Sequence, residues 1–302
     1  MGVAAESTGK VKDVLVVGGV FREILNGDTQ PRVRYGGSGL VAAVAAARLG
    51  TKVALASYVG DEDEEAVRTE LRAASVDDSV VLTLAGASGT FMFPTRESGK
   101  RPWPMYRPAE STPRSSPQRL PDAAVVVVFG IPDYDPVAEG WLSDTKTGVT
   151  LIWDKQGWLS RARDSSAVVR LPPSRKVHLA NEAEAIEDAN AGTAEEAIAE
   201  QPPAGFSVGV VKQGVRGVTV VERKNEASVT TFVPSFRVSA RSTIGTGDVF
   251  AGAFASGLAR GDSAPEAARC GCAAVAVALR AGCNLLDYGA FAAVIHLLSE
   301  PT

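Results

Sequence analysis

The segment Gly245–Asp248 (GTGD) combines residue types that suit a phosphate-binding site beside a catalytic base. Downstream, Phe250, Phe254 and Leu258 recur at helical spacing, which predicts a packed helix that begins near the second glycine. The first turn of a helix has backbone N–H groups without intrahelical acceptors and carries the positive end of the helix dipole. Two glycines with one small residue between them let that backbone approach a phosphate closely.

Asp248 follows this turn, in a position that suits a base accepting a proton from an attacking hydroxyl. Phosphoryl transfer depends mainly on positioning and on charge stabilisation, so an ordinary carboxylate is sufficient for this role. An aspartate that completes a glycine-rich turn at a helix N-terminus is the structural alternative, and this short motif alone does not exclude it.

Short apolar segments that alternate with helical ones must position this turn. Repeated β-then-α units predict a mainly parallel sheet that is covered on both faces. The predicted strands are Asp13–Gly19, Thr51–Tyr58, Ala123–Phe129, Val149–Trp153, Lys176–Leu179 and Ser207–Lys212, and the predicted helices are Ser38–Gly50, Glu62–Ala74 and segments from Asp248 onward. Gly217–Glu222 and Val229–Val233 predict a hairpin.

Two segments, residues 20–36 and 89–107, do not follow this alternation. Both contain strand-like pieces separated by polar turns, so we expect a small β-sheet that projects from the main one. Phe91, Trp103 and Tyr106 lie in the second segment. Such aromatic residues either stack on a ligand, form a small core or make a dimer contact.

Composition excludes several classes of function. The 302 residues carry a net charge of −4, with 45% hydrophobic and 22% charged residues, so no basic field would attract nucleic acid or an anionic membrane. The N-terminus lacks the basic and apolar regions of a signal peptide, and no segment approaches the ~18 apolar residues of a membrane span. We therefore expect a cytoplasmic protein with small-molecule partners.

Five segments together resemble the ribokinase-like (PfkB) family of carbohydrate and nucleoside kinases. Gly245, Gly247, Asp248 and Phe250 match the family's C-terminal signature D-[TP]-T-G-A-G-D-x-F, with Thr246 in place of Ala. The other four matches, in the family's order, are Tyr35–Gly39 with the Ala-rich helix that follows, Val59–Asp61, Asn181–Glu184 (N-x-x-E) and Val211–Gly217.

The resemblance covers essentially the whole chain and implies a single domain over residues 1–302. Its fold would be a three-layer αβα sandwich with a mainly parallel central sheet, and residues 20–36 and 89–107 would form a small β-sheet lid. The implied activity is ATP-dependent transfer of the γ-phosphate to a hydroxyl of a sugar or related polyol. Asp248 would be the base, and the backbone of Gly245, Thr246 and Gly247 the anion hole.

The resemblance also assigns the nucleotide side of the site. Glu184, with Asn181, would act near a magnesium ion and its waters, and Lys212, Gly214 and Gly217 would lie near the phosphates of ATP. An amide and an acid one turn apart fit Mg²⁺, which keeps several waters. The structural alternative is a helix N-cap with a first-turn acid, and for Lys212 a solvated charge at a strand end.

The acceptor side departs from the family pattern. Glu23 stands where an aspartate usually binds substrate hydroxyls, and Val41 replaces an asparagine that follows Gly36 and Gly37. We expect these four residues and Phe91 to form the acceptor site. The neighbouring Arg22 is either a surface charge or a contact to an anionic substrate.

The C-terminal signature departs from the family upstream of its glycines. Ser242 replaces the aspartate that opens the signature, and Ile244 replaces its threonine. In the family that aspartate belongs to a loop associated with activation by monovalent cations. Ser242 lacks its charge, so the resemblance does not extend to potassium dependence.

Three alternatives remain open. The replacement of asparagine by Val41 favours an apolar slot, as a nucleoside acceptor would require. The changes at Val41, Ser242 and Ile244 also fit a ligand-binding relative without catalysis, although Asp248 is present. A Rossmann oxidoreductase is suggested by the strand that ends in Gly18 and Gly19, but no G-x-G-x-x-G follows it. A homodimer through the lid aromatics is a further expectation.

Overall fold

The computed structural model describes residues 12–26, 31–93, 103–106, 120–129, 148–154, 156, 175–225, 227–239, 243–281 and 291–299. Its strands are β1 (Lys12–Val17), β2 (Phe21–Asn26), β3 (Pro31–Gly36), β4 (Val53–Gly60), β5 (Val81–Leu84), β6 (Thr90–Phe93), β7 (Trp103–Tyr106), β8 (Ala123–Phe129), β9 (Thr150–Asp154), β10 (Lys176–Asn181), β11 (Val208–Lys212), β12 (Gly217–Lys224) and β13 (Ala227–Pro234). Nine of them form a central sheet in the order β13-β12-β11-β10-β9-β8-β1-β4-β5.

The central sheet is mainly parallel, as predicted. Every neighbouring pair from β11 to β5 is parallel, and β12 and β13 extend the sheet as an antiparallel hairpin. The parallel strands are rich in valine, and β4 is buried along its whole length. This composition suits strands that are covered on both faces.

Helices lie on both faces of this sheet. They are α1 (Ser38–Arg48), α2 (Glu64–Ala73), α3 (Glu182–Ala189), α4 (Ala194–Ala199), α5 (Thr246–Ala259), α6 (Ala264–Arg280) and α7 (Phe291–Ser299). Alternate residues of β1 and β10 enter different cores, because successive side chains on a strand point to opposite faces. One core includes residues of α1, α2, α5 and α6; another packs α3 and α4 against β10 and β11. The predicted three-layer arrangement is confirmed.

In the described part of the chain, no helix has the length and apolar character that a membrane crossing requires.

A second, four-stranded sheet has the order β3-β2-β6-β7. Its strands fall inside the two segments predicted to form a lid, residues 20–36 and 89–107, of which 27–30, 94–102 and 107 lie outside the described residues. β2 pairs with β3 antiparallel and with β6 parallel. Arg22 and Glu23 are adjacent on β2 and therefore point to opposite faces of the small sheet.

Asp63 joins the small sheet to the central one. Its buried carboxylate accepts hydrogen bonds from Arg22 (2.5 Å), from the Tyr35 hydroxyl (2.9 Å) and from the backbone N–H of Ser88 (2.8 Å). Burial alone would raise the pKa of Asp63, but these hydrogen bonds hold it below its usual range. The Arg22 guanidinium thus pairs with an internal carboxylate instead of standing as a simple surface charge. A contact of Arg22 to an anionic substrate stays a prediction.

Candidate active site

Three polar side chains lie where adjacent parallel strands end. Asp154, Asn181 and Lys212 are the last residues of β9, β10 and β11. Asn181 is in register with Lys212, and the preceding residues of β10 are in register with β9. The carboxyl ends of parallel strands meet at one edge of the sheet, which is where open α/β sheets bind ligands.

The start of α5 faces this edge. Gly245 precedes the helix with φ 79°, a left-handed conformation that side chains rarely adopt, and Thr246 is the first helical residue. The Thr246 hydroxyl donates to the carbonyl of Thr243 at 2.9 Å, which fixes the turn. Among the described atoms, a Cβ added to Gly247 would meet only the Lys212 Nζ, at 3.6 Å. The first turn of α5 and an ammonium group thus border an open space that suits an anion.

Asp248 lies in this first turn and is half-buried. Its Oδ1 accepts a hydrogen bond from Gln156 Nε2 at 3.0 Å. Desolvation and the nearby negative charge of Asp154 raise the pKa of Asp248 to about 7, against the opposing effects of Lys212 and Gln156. An ordinary carboxylate would be sufficient for the role of base, but Asp248 is not an ordinary one. A pKa near neutrality suits a general base better, because proton transfer is most effective there.

Asp154 is almost fully buried, with 1% of its surface exposed, and holds the lysine. Lys212 Nζ donates to Asp154 Oδ2 at 2.7 Å. Burial would lower the pKa of Lys212, but Asp154 and, next, Glu184 raise it above its usual value, so the ammonium form persists. Lys212 is therefore not the solvated strand-end charge of the structural alternative.

Asn181 and Glu184 form a capping box at the start of α3. Glu184 N–H donates to Asn181 Oδ1 at 3.0 Å, and Asn181 N–H donates to Glu184 Oε2 at 2.8 Å. The structural alternative for this pair is thus realised. It does not exhaust the role of Glu184, because the buried carboxylate also acts electrostatically on Lys212.

The donor set around Glu184 can be tested against magnesium. The described residues contain no group of three or more His, Cys, Asp or Glu side chains that could hold a metal. Mg²⁺ is usually bound through one or two carboxylates, several waters and the phosphates of a nucleotide. These residues therefore fit an ion carried by a nucleotide and contacted by Glu184, and they do not fit an all-protein cage.

Gly214 and Gly217 flank an exposed turn after β11. Gly214 begins a 3₁₀ turn that ends at Arg216. Gly217 has φ 133°, and a Cβ there would lie 2.2 Å from the Val233 carbonyl oxygen of β13. Glycine at 217 is therefore required by the hairpin itself, so its presence is not evidence of a contact to nucleotide.

Glu23, Gly36 and Gly37, three residues of the predicted acceptor site, lie together in the structure. Its carboxylate is buried and accepts hydrogen bonds from Gly37 N–H (3.1 Å) and from Arg34 Nε (2.8 Å). A Cβ on Gly36 would lie 2.2 Å from Glu23 Oε1, so a larger residue at position 36 would displace this carboxylate from its observed position. Glu23 is also close enough to Asp248 to raise its pKa further.

Phe91 and Val41 are the apolar members of the predicted acceptor site. Phe91 is in register with Glu23 across β2 and β6, and its ring meets Phe21 edge to face at 4.7 Å between centroids. Val41 packs in an apolar cluster with Val249 of α5. Replacing an asparagine by valine here thus joins α1 to the helix that carries Asp248.

Several predicted features cannot be placed. Ser242 and the side chains of Trp103 and Tyr106 lie outside the described residues. The expectations for monovalent cations and for a dimer through the lid aromatics therefore stay predictions.

Two residues of this constellation escaped sequence reasoning. Gln156 follows Asp154 by two positions, in a segment without periodicity, and nothing in the sequence singled it out. Arg34 is in register with Glu23 across β2 and β3. A register prediction for that hairpin could have found it, because cross-strand neighbours on one face contact each other.

Comparisons with known proteins support one family. A family model described as pfkB family carbohydrate kinase matches residues 15–286. No curated protein matches the chain. Many solved structures share its fold, including the following three. Ribokinase from Thermotoga maritima is 19% identical, covers 96% of this chain and 100% of its own, and has a TM-score of 0.73.

The second structure is aminoimidazole riboside kinase from Salmonella enterica, complexed with aminoimidazole riboside and an ATP analogue. It is 17% identical over 95% of this chain and 100% of its own, with a TM-score of 0.74. The third is a double-mutant fructokinase from Vibrio cholerae in its fructose-, ADP- and potassium-bound form. It is 18% identical over 95% and 98% of the two chains, with a TM-score of 0.71.

Proposed function

Since this chain belongs to the pfkB family of carbohydrate kinases, we propose that it transfers the γ-phosphate of ATP to a hydroxyl of a sugar or related polyol. The observation that carries this proposal is the position of Asp248. It combines a pKa of about 7 with a place in the first turn of α5, beside the Lys212 ammonium and close enough to Glu23 for that carboxylate to raise its pKa.

Each group has a defined part in the proposed transfer. Asp248 accepts the proton of the acceptor hydroxyl while the oxygen of that hydroxyl attacks the γ-phosphorus. The bond between the γ-phosphorus and the oxygen that bridges it to the β-phosphate breaks, which releases ADP. The backbone of Gly245, Thr246 and Gly247 stabilises negative charge on the transferring group. With a pKa of about 7, a substantial share of Asp248 is ionised at neutral pH.

The nucleotide lies on the side of β11 and α3 in this proposal. Lys212 contacts the phosphates, and the turn that contains Gly214 and Gly217 borders them. Magnesium, when bound with the nucleotide, neutralises phosphate charge; Glu184 and Asn181 would hold its waters. Two neighbours with this fold were solved with an ATP analogue and with ADP, which supports a nucleotide as the phosphate donor.

A nucleoside acceptor is the second candidate. Phe21 and Phe91 provide an apolar surface next to Glu23, and a nucleobase requires such a surface. Aminoimidazole riboside kinase, a neighbour with this fold, was solved with a riboside. A non-catalytic relative is disfavoured, because the ion pair of Asp154 with Lys212 and the raised pKa of Asp248 suit catalysis better than simple binding.

ADP release measured over a panel of sugars, polyols and nucleosides tests the proposal. We expect at least one panel member to be phosphorylated, and Asp248→Asn to lower its kcat by about 10²- to 10⁴-fold. ATP affinity, measured by calorimetry, should survive in this variant. Asp262→Asn is the matched control, because Asp262 pairs with Arg260 at the surface.

Two outcomes would contradict it. Turnover of Asp248→Asn comparable with wild type would remove Asp248 from the role of base. ATP binding without phosphorylation of any panel member would favour the non-catalytic alternative.

A further inference from the structure

We propose that Asp154 and Gln156 are positioning residues that keep the Lys212 ammonium off the Asp248 carboxylate and fix the orientation of that carboxylate. This inference rests on the proposed kinase reaction. It adds two residues that no motif assigned to a role in that reaction.

The contacts form a continuous bridge. Asp154 Oδ2 accepts from Lys212 Nζ at 2.7 Å, and Asp154 Oδ1 accepts from the backbone N–H and from Nε2 of Gln156, at 3.3 and 3.4 Å. The same Gln156 Nε2 donates to Asp248 Oδ1 at 3.0 Å. An amide NH₂ has two hydrogens, so it can join both carboxylates.

Asp154 positions the Lys212 ammonium group. Lys212 acts electrostatically on Asp154, Glu184 and Asp248, yet its hydrogen bond among the described residues goes to Asp154. A direct ion pair with Asp248 would stabilise the ionised form of the base and weaken it as a proton acceptor. By binding the ammonium at the end of β9, Asp154 leaves it beside Gly247, where a phosphate would lie.

Gln156 orients the Asp248 carboxylate. Because Gln156 occupies Oδ1 of Asp248, the acceptor hydroxyl would be received by Oδ2. Gln156 has φ 52°, in the left-handed region that non-glycine residues rarely adopt. Such a conformation persists only where surrounding contacts hold it, and here the hydrogen bonds to Asp154 hold both the backbone and the side chain.

The bridge predicts opposite titration shifts for two variants. The charged groups that act on Asp248 are Asp154, Lys212 and Glu23. In Asp154→Asn a negative neighbour is lost and Lys212 is released toward the base, so the pKa of Asp248 should fall by about one unit or more. In Gln156→Met a hydrogen bond to the ionised form is lost, so that pKa should rise.

The test is a ¹³C NMR titration of the Asp248 carboxyl in nucleotide-free protein, which requires no acceptor. Asp77→Asn is the matched control, because Asp77 pairs with Lys12 at 2.6 Å. Lys12 begins β1, so this pair lies at the amino ends of the parallel strands, whereas the site lies at their carboxyl ends. Asp77→Asn should leave the titration of Asp248 unchanged. Gln156→Met, at a half-buried position, keeps the test available if Asp154→Asn does not fold.

A kinetic arm separates this inference from the proposed function. With an acceptor that the wild type phosphorylates, the acid limb of kcat/KM should move down in pH for Asp154→Asn and up for Gln156→Met. Phosphorylation with unmoved titrations in both variants overturns the bridge and leaves the kinase intact. Opposite NMR shifts in a protein that phosphorylates no acceptor support the bridge as an electrostatic arrangement and overturn the kinase proposal.

Discussion

The proposed phosphate end and the proposed acceptor end of this site lie on different parts of the fold. The phosphate end, comprising Asp154, Lys212 and Asp248, stands on strand ends of the central sheet and on the first turn of α5. The acceptor end, comprising Glu23 and Arg34, stands on the small sheet. Register in the central sheet therefore fixes the first set, whereas the second depends on how the small sheet is attached.

The two ends also treat charge differently. At the phosphate end the Lys212 ammonium pairs with Asp154, which is 1% exposed, and the second carboxylate, Asp248, has a pKa near neutrality. At the acceptor end Glu23 pairs with Arg34, whose side chain is 30% exposed. The pair of Glu23 with Arg34 (8% and 30% exposed) is less buried than the pair of Asp154 with Lys212 (1% and 15% exposed), so a ligand can rearrange it at lower cost. If the proposed function holds, we expect substrate preference to change at the acceptor end without loss of phosphoryl transfer.

Two substitutions should separate these ends kinetically. Glu23→Gln should raise KM for the acceptor by about 10- to 100-fold, the equivalent of the ~1.5–3 kcal/mol of a hydrogen bond to a charged group. Its KM for ATP should stay unchanged. Lys212→Met should instead raise KM for ATP and leave KM for the acceptor unchanged, because the ammonium faces the space beside Gly247. Steady-state kinetics with each substrate varied in turn measures both effects.

The controls are exposed residues of the same types, Glu62→Gln and Lys224→Met. If both constants changed equally in Glu23→Gln and in Lys212→Met, the division of the site into two ends would be wrong.

Most of the central fold could be predicted from the sequence. Valine-rich runs such as Ala123–Phe129 have the composition of strands buried on both faces, and the apolar spacing after Gly247 marked the helix that begins at Thr246. The order of the strands could not be read from periodicity alone, since it depends on long-range pairing. The family resemblance gave the three-layer arrangement, and the strand order was first seen in the structure.

In the site too, local features could be predicted from the sequence and long-range contacts could not. Asp248 and Lys212 belong to local motifs, and local motifs are visible in one sequence. The contacts of Asp154 with Lys212 and of Gln156 with Asp248 span 58 and 92 positions, and only tertiary structure brings such residues together. The raised pKa of Asp248 depends on burial and on Asp154, so it could not have been predicted from the spacing of its motif.

A smaller effect tests the metal side of the phosphate end. Glu184→Gln should raise the magnesium concentration that gives half-maximal activity by about tenfold, the order expected for an outer-shell partner. Glutamine can still accept the Asn181 N–H, so the capping box should persist. Glu187→Gln, exposed on the same helix, is the control. An unchanged magnesium titration in Glu184→Gln would restrict Glu184 to its capping role.

The smallest expected effect concerns stability, and it contrasts two aspartates. The folded-state pKa of Asp248 is about 7, above the ~3.9 of an unfolded aspartate, so its ionisation opposes folding increasingly between these values. Asp248→Asn should therefore raise Tm at pH 8 by about 2–4 °C and leave it unchanged below about pH 4.

Asp77, whose pKa is held low by Lys12 and Ser79 despite burial, should behave oppositely. Asp77→Asn should lower Tm at pH 8, and the loss should disappear as the pH falls through the native pKa of Asp77. Thermal unfolding of both variants in a series from pH 8 down to about pH 2.5 tests both predictions. A Tm of Asp248→Asn that is below wild type at pH 8 would mean that the base is held by contacts that favour its charged form.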